Sequence, residues 1–160
     1  MDASSLPATS ATPAAAPLSG SSELFRRVET SFLRQGLMQH FGARLLRVEP
    51  GLCELALPYS DRVTQQQGGF HGGAMGALAD IAGGYAALTL APAGMEVTTV
   101  EYKINFLAAF QGGELRATGQ VVKSGKRIIV TTAEVLHVEG SKRTVCAVMQ
   151  QTLVPVPQAY

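Results

Sequence analysis

The sequence contains no tryptophan, has few charged residues, and shows almost no imbalance between charges of opposite sign. Lysine and arginine together number 13 and aspartate and glutamate 12, so the formal net charge is only +1. A chain this close to neutral lacks the electrostatic field with which proteins bind nucleic acids or anionic membranes. We therefore expect no nucleic-acid or membrane partner, although a local group of cations could still hold a small anionic ligand.

Cysteine occurs only twice, and neither cysteine belongs to a metal-binding pattern. Cys53 and Cys146 both lie in apolar, strand-like segments, which is typical of buried, reduced thiols in a cytoplasmic protein. The sequence leaves open whether the two cysteines form a disulfide. Together with His40, His71 and His137, they lack the spacing of metal ligands. The sequence thus predicts a cytoplasmic protein without a metal centre.

The first 21 residues differ in composition from the rest of the chain. They are rich in alanine, serine, threonine and proline, bury little, and are expected to be disordered. They lack the basic start and apolar run of a secretion signal and the arginines of a transit peptide. Hydrophobic residues make up 46% of the chain, so the remainder, 22–157, is expected to form one domain with its own core.

Two segments have the pattern of helices. Apolar residues recur at helical spacing from residue 22 towards Gly36 or Gly42, which predicts an amphipathic N-terminal helix. The segment 72–90 is apolar almost all round and precedes Pro92. Because it consists mostly of glycine and alanine and contains a carboxylate, we expect a buried helix rather than a membrane span.

Period-two alternation predicts six strands. Two of them precede the apolar helix and four follow it as a meander, at 43–49, 52–57, 97–107, 114–121, 127–138 and 143–154. A helix that is apolar on every side needs cover on most of its surface. A curved antiparallel sheet of about six strands can wrap it, and this α+β arrangement is the hot-dog fold, with an extra N-terminal helix.

Asp80 is the only charged side chain between His71 and Glu96. A carboxylate on an apolar helix must be paired, hydrogen-bonded, protonated or functional. Asp80 is therefore a candidate general base or nucleophile. The alternative, a structural aspartate that caps a neighbouring element, stays open.

Gly72 and Gly73 begin the predicted helix, where backbone N–H groups have no intrahelical acceptor and can stabilise an oxyanion. Alternatively, the glycines only allow a tight start of the helix against the sheet. Asp80 lies eight residues beyond Gly72, about 12 Å along a helix and on a different side. If both groups act on one carbonyl, two subunits must share the site.

The triplet His71-Gly72-Gly73, six further residues and then Asp80, together with the strand sequence at 100–107, resembles the PaaI-type hot-dog acyl-CoA thioesterases. The resemblance covers about 22–154. It implies hydrolysis of acyl-CoA thioesters, often aryl or phenylacetyl, without metal or organic cofactor. It also implies sites at the interface of a homodimer, with dimers pairing into homotetramers. Gly72 would be the oxyanion donor, and Asp80 of the facing subunit the base or nucleophile.

The resemblance assigns further residues to the site. Gln65 stands where the family has an asparagine, His71 is expected to position the loop, and a hydroxyl that places water falls at Thr99. Strict alternation puts Thr99 on the polar row of its strand with Glu101, so Thr98 and Thr99 both stay candidates. Three cations lie near the Ser124-Gly125 turn, namely Lys123, Lys126 and Arg127. They are suited to binding the CoA phosphates. Alternatively, they are simply solvated at the tip of a hairpin.

The predicted function is hydrolysis of an aryl, phenylacetyl or medium-chain acyl-CoA to the acid and CoA. Phe70, Met75, Leu78 and Tyr85 are candidates for the acyl pocket or for plain core. The main alternative is a hot-dog module that binds acyl-CoA without catalysis. A hydratase is disfavoured by the spacing of His71 and Asp80, and a purely structural oligomer by the position of Asp80.

Overall fold

The computed structural model describes residues 22–159, so the predicted N-terminal tail lies outside the described residues. The described chain consists of three helices, a short 3-10 helix and six strands. In chain order they are α1 (Ser22–Phe32), α2 (Gly36–Phe41), β1 (Arg44–Glu49), β2 (Leu52–Pro58), the 3-10 helix (Asp61–Val63), α3 (Gly72–Leu88), β3 (Met95–Phe106), β4 (Glu114–Ser124), β5 (Ile129–Glu139) and β6 (Lys142–Pro157). The α+β hot-dog fold predicted from the sequence is confirmed, with one curved antiparallel sheet around a central helix.

The order of strands corrects the predicted meander. The sheet has the order β1-β2-β4-β5-β6-β3, so of the four strands after α3 only β4, β5 and β6 follow one another as neighbouring hairpin strands. The α3 connection carries the chain from β2 to the far edge, where β3 pairs with β6. This crossover leaves β2 free to pair with β4 over seven residue pairs. Sequence neighbours are therefore not sheet neighbours on either side of α3.

The core lies between α3 and the concave face of the sheet. Eleven of the seventeen residues of α3 are buried, as expected for a helix that is apolar on every side. The helix approaches the sheet closely at Gly119 on β4, where a Cβ atom would lie 2.3 Å from the carbonyl oxygen of Ala82. Only glycine allows this approach. Among residues 22–159, no helix is long and apolar enough to cross a membrane.

The predicted N-terminal helix is present as α1, but it ends at Phe32, before the predicted Gly36 or Gly42. The chain forms two helices, because Gln35 adopts an extended conformation (φ −79°, ψ 101°) between them. The break turns Met38 into the core, whereas Leu33 and Leu37 are exposed. Gly42 ends α2 in the left-handed region at φ 72°, a conformation that glycine adopts readily.

Candidate active site

Asp80 lies near the middle of α3, and its carboxylate is held at one oxygen. Its Oδ1 accepts hydrogen bonds from Thr99 Oγ1 at 2.7 Å and from Gln151 Nε2 at 3.0 Å. Among residues 22–159, no donor reaches Oδ2 and no cation pairs with the carboxylate. The half-buried Asp80 is therefore stabilised by neutral donors from β3 and β6, and its second oxygen stays available to other groups.

A β-bulge in β3 brings Thr99 to Asp80. Thr99 pairs with Leu153 and Glu101 pairs with Thr152, so Val100 is an extra residue without a partner on β6. The extra residue breaks the alternation and turns the Thr99 side chain towards α3. The predicted placement of Thr99 on the polar row with Glu101 is therefore wrong, and it is Thr99, not the exposed Thr98, that contacts Asp80.

Gln151 also belongs to the site, although it was not among the residues predicted from the sequence. Its side chain is fully buried and donates to Asp80 Oδ1, to the Asp80 carbonyl oxygen at 3.2 Å and to Thr99 Oγ1 at 3.3 Å. A signal was available in the alternation of β6, where Gln151 takes an inward position between buried Met149 and Leu153. A polar residue in such a row must find a hydrogen-bonding partner inside the protein.

Asp80 opens into a cleft of about 590 Å³ between α3, the connection of α1 to α2, and the neighbouring ends of β3 and β6. One part of the lining is apolar and includes Ile81, Leu88 and Leu153. Another part is polar: Tyr85 OH accepts from Gln35 Nε2 at 2.7 Å and donates to Ser31 Oγ at 3.3 Å. The cleft is large enough for a small ligand that has both apolar and polar parts.

The residues proposed for an acyl pocket are mostly core. Phe70, Met75 and Leu78 are at most 4% exposed and do not line the cleft. Only Tyr85 does so. The three core residues pack within the main hydrophobic cluster beneath α3, whereas the cleft lies at another side of the helix.

Of the two glycine N–H groups that begin α3, one is capped and the other is not. His71 precedes the helix in an extended conformation, and its Nδ1 accepts from the Gly73 N–H at 2.8 Å. This bond requires an unprotonated Nδ1. Within the described chain, no acceptor binds the Gly72 N–H. Of the two predicted oxyanion donors, Gly72 is therefore the available one.

The aromatic ring of Phe106 lies close to Gly72. Gln65 lies in the loop that precedes α3. A Cβ atom at Gly72 would lie 3.2 Å from Cζ of Phe106. The Gln65 N–H donates to the Gly69 carbonyl oxygen at 2.9 Å, and its side-chain Oε1 accepts from the Gln67 N–H. The side chain of Gln65 thus closes its own turn and does not contact Asp80.

The predicted site residues form two groups in one chain. Gln65, His71, Gly72 and Gly73 lie around the start of α3, and none of them lines the cleft that contains Asp80. The rise of an α-helix puts Asp80 about 12 Å further along. A single chain therefore does not bring the proposed oxyanion donor to the proposed base.

The three predicted CoA-binding cations are exposed and lie at the other end of α3. Lys123, Lys126 and Arg127 surround the β4–β5 turn, which the Gly125 N–H closes on the Ile128 carbonyl oxygen at 2.9 Å. Ile129, the first residue of β5, packs against Ala87 in the last turn of the helix. No carboxylate of residues 22–159 forms an ion pair with these cations.

Both cysteines are buried free thiols. Burial raises the pKa of the Cys146 thiol to about 11 and that of the Cys53 thiol further. Both thiols therefore stay protonated near neutral pH and do not supply a thiolate nucleophile. In the part of the chain that the structure describes, no three histidine, cysteine or acidic side chains form a group that could hold a metal ion.

Comparison with known proteins identifies the family. Residues 67–144 match the family model of the thioesterase superfamily. A candidate esterase of Saccharolobus solfataricus is 31% identical over 124 residues, which is 78% of this chain and 84% of that protein. A thioesterase family protein of Silicibacter pomeroyi has a crystal structure with a TM-score of 0.81 at 36% identity, covering 84% of this chain and 99% of that one.

The PaaI protein of E. coli, from the phenylacetic acid degradation operon, has a TM-score of 0.76 at 20% identity, over 85% of this chain and 95% of that one. At this identity the likeness concerns the fold alone. The expected resemblance is thus confirmed at the level of the superfamily and of the fold that PaaI shares. Its sequence relatives, its fold and the segment that matches the family model show that this chain belongs to the thioesterase superfamily.

Proposed function

We propose that this protein hydrolyses an acyl-CoA thioester to the free acid and CoA, with Asp80 as general base or nucleophile. The observation that carries the proposal is the hydrogen bonding of Asp80: Thr99 and Gln151 hold Oδ1, and Oδ2 accepts no bond from residues 22–159. The carboxylate opens into a cleft of about 590 Å³, a volume typical of small-molecule sites. The acyl group would be aryl, phenylacetyl or medium-chain.

Two routes fit this arrangement. As a base, Asp80 takes a proton from water while the water oxygen attacks the thioester carbonyl, and CoA leaves as the thiolate and is then protonated. As a nucleophile, Asp80 attacks the carbonyl itself, expels the CoA thiolate, and forms an anhydride that water hydrolyses. Both routes put negative charge on the carbonyl oxygen, so both need an N–H donor such as Gly72.

We propose that Gly72 and Asp80 come from different subunits of a homodimer, the minimal active unit, and that dimers pair into tetramers. The proposal is supported by their separation within one chain and by the surface of β3. This edge strand exposes Val100, Tyr102 and Phe106 by 55%, 47% and 51%. An exposed edge with large apolar side chains is suited to a second copy of the chain.

The remaining assignments complete the proposal. Lys123, Lys126 and Arg127 would bind the CoA phosphates, and Gln65, His71 and Gly73 would shape the loop before α3. The domain 22–157 would act without a cofactor. A cytoplasmic location is favoured by the two reduced, buried thiols.

Release of free CoA thiol from a panel of aryl, phenylacetyl and fatty acyl-CoAs, followed with a thiol dye, tests the function. Asp80→Asn should keep the fold and lower kcat by roughly 10²- to 10⁴-fold, the usual contribution of a general base. Asp61→Asn is the matched control, because Asp61 is an exposed aspartate outside the cleft. It should retain wild-type turnover.

Two results would contradict the proposal. Wild-type kcat in Asp80→Asn would remove Asp80 from the mechanism. A folded wild-type protein that turns over no thioester, yet binds acyl-CoA in calorimetry, would be the non-catalytic binding module instead.

A further inference from the structure

We infer that Gln151 is a positioning residue, which holds the Asp80 carboxylate so that one oxygen faces the cleft. The inference rests on the proposed role of Asp80. Gln151 lies on β6 and reaches α3 through one nitrogen. Its Nε2 donates to the Asp80 carboxylate at 3.0 Å, to the Asp80 carbonyl oxygen at 3.2 Å and to the Thr99 hydroxyl at 3.3 Å.

These contacts tie together the three elements that form the Asp80 end of the cleft. The bond to the main-chain carbonyl of Asp80 anchors the amide to the helix itself, and the other two bonds set the carboxylate and the hydroxyl relative to that anchor. Because Thr99 also donates to Oδ1 at 2.7 Å, both neutral donors hold the same oxygen. The carboxylate is thereby oriented with Oδ2 away from them.

The other end of the Gln151 side chain indicates that the amide does not serve packing alone. The side chain is fully buried, and within residues 22–159 its Oε1 has no hydrogen-bond donor. The fully buried Thr131 hydroxyl on the paired position of β5 also lacks a partner. A buried amide without a bond at its oxygen destabilises the fold relative to an apolar side chain. The satisfied end is the one that faces Asp80.

Gly83 on α3 makes room for this amide. A Cβ atom at Gly83 would lie 2.2 Å from Gln151 Oε1 and 2.7 Å from Thr131 Oγ1. No side chain fits there unless Gln151 moves. The glycine therefore allows β6 to place a long polar side chain directly beneath the turn of α3 that contains Asp80.

Replacement of Gln151 by methionine tests the inference, because methionine has a similar volume but no N–H donor. In the thiol-release assay, kcat should fall roughly 10- to 100-fold, as expected for lost hydrogen bonds to a charged group. KM should stay within about twofold, since Gln151 does not line the cleft. The melting temperature should not fall, because the unpaired Oε1 is removed as well.

Thr131→Val is the matched control. It removes an equally buried polar group at the paired position of β5, and Thr131 contacts neither Asp80 nor Thr99 by a hydrogen bond. Its kcat should equal that of the wild type. Equal kcat values for Gln151→Met and the wild type would overturn the inference, as would the same loss in both variants.

A crystal structure of Gln151→Met separates this inference from the proposed function. The Asp80 carboxylate should leave the Thr99 hydroxyl or occupy more than one rotamer. A single rotamer with the Oδ1–Oγ1 distance still near 2.7 Å would overturn the positioning role, whatever the turnover. If the wild type hydrolyses no thioester, the proposed function fails, while the position of Asp80 in this crystal still decides the role of Gln151.

Discussion

Replacement of Gly72 by proline tests the oxyanion site directly, because it removes the N–H group at that position. Gly72 is the first residue of α3, where the N–H has no intrahelical acceptor and proline is well tolerated. His71 already has the extended conformation that the residue before a proline requires, at φ −71° and ψ 133°. Gly72→Pro should therefore leave the helix intact.

The steric effect of the substitution has its own control. Any Cβ atom at position 72 meets Phe106 Cζ at 3.2 Å, and the half-exposed ring must shift slightly. Gly72→Ala introduces the same Cβ but keeps the N–H. The ratio of kcat between the alanine and proline variants therefore isolates the donor. Loss of one oxyanion donor lowers kcat by about 10²- to 10³-fold, or about 2.7–4 kcal/mol.

The assay is thiol release at saturating acyl-CoA, with melting temperature and oligomeric state measured for each variant. If the proline and alanine variants have the same kcat, the Gly72 N–H does not stabilise the oxyanion. Mixed dimers then test the shared site. When Gly72→Pro chains are paired with Asp80→Ala chains, one of the two sites in each mixed dimer is intact, so about half of the wild-type activity should return. Purified mixed dimers without activity would show that the groups do not meet across subunits.

Two further predictions concern the other site residues. Thr99→Val should lower kcat roughly 10-fold, because the Asp80 carboxylate loses its 2.7 Å donor. Thr98→Val, one residue away on the exposed side of the strand, should lower kcat much less. Equal losses of kcat in the two variants would mean that the hydroxyl bonded to Asp80 has no special role. Joint replacement of Lys123, Lys126 and Arg127 by alanine should raise KM for acyl-CoA and weaken its salt dependence. The same variant should hydrolyse a short thioester without nucleotide phosphates normally, and an unchanged KM for acyl-CoA would show that these exposed cations are only solvated.

Local sequence patterns determined much of this protein. An apolar helix without a polar face needs a sheet around it, so the segment that became α3 was sufficient to predict the layer arrangement. The single carboxylate in that segment, Asp80, was recognisable because a charge in such a helix needs partners. The two glycines that begin the helix predicted N–H groups without an intrahelical acceptor, since the first turn of any helix lacks such acceptors. Of the two, only the Gly72 N–H stays without an acceptor within residues 22–159.

Tertiary structure alone decided which groups meet Asp80. Alternation assigns side chains to faces only while pairing is regular, and the unpartnered Val100 in β3 reverses the assignment for Thr99. Strand order is a property of the whole sheet, so the pairing of β3 with β6 that brings Thr99 and Gln151 together was not readable from either strand. The same holds for the cleft, because Gln35, which lines it, lies at a break between α1 and α2 that the helical spacing of apolar residues did not predict. Periodicity specifies the faces of single elements, whereas the contacts between elements set the site.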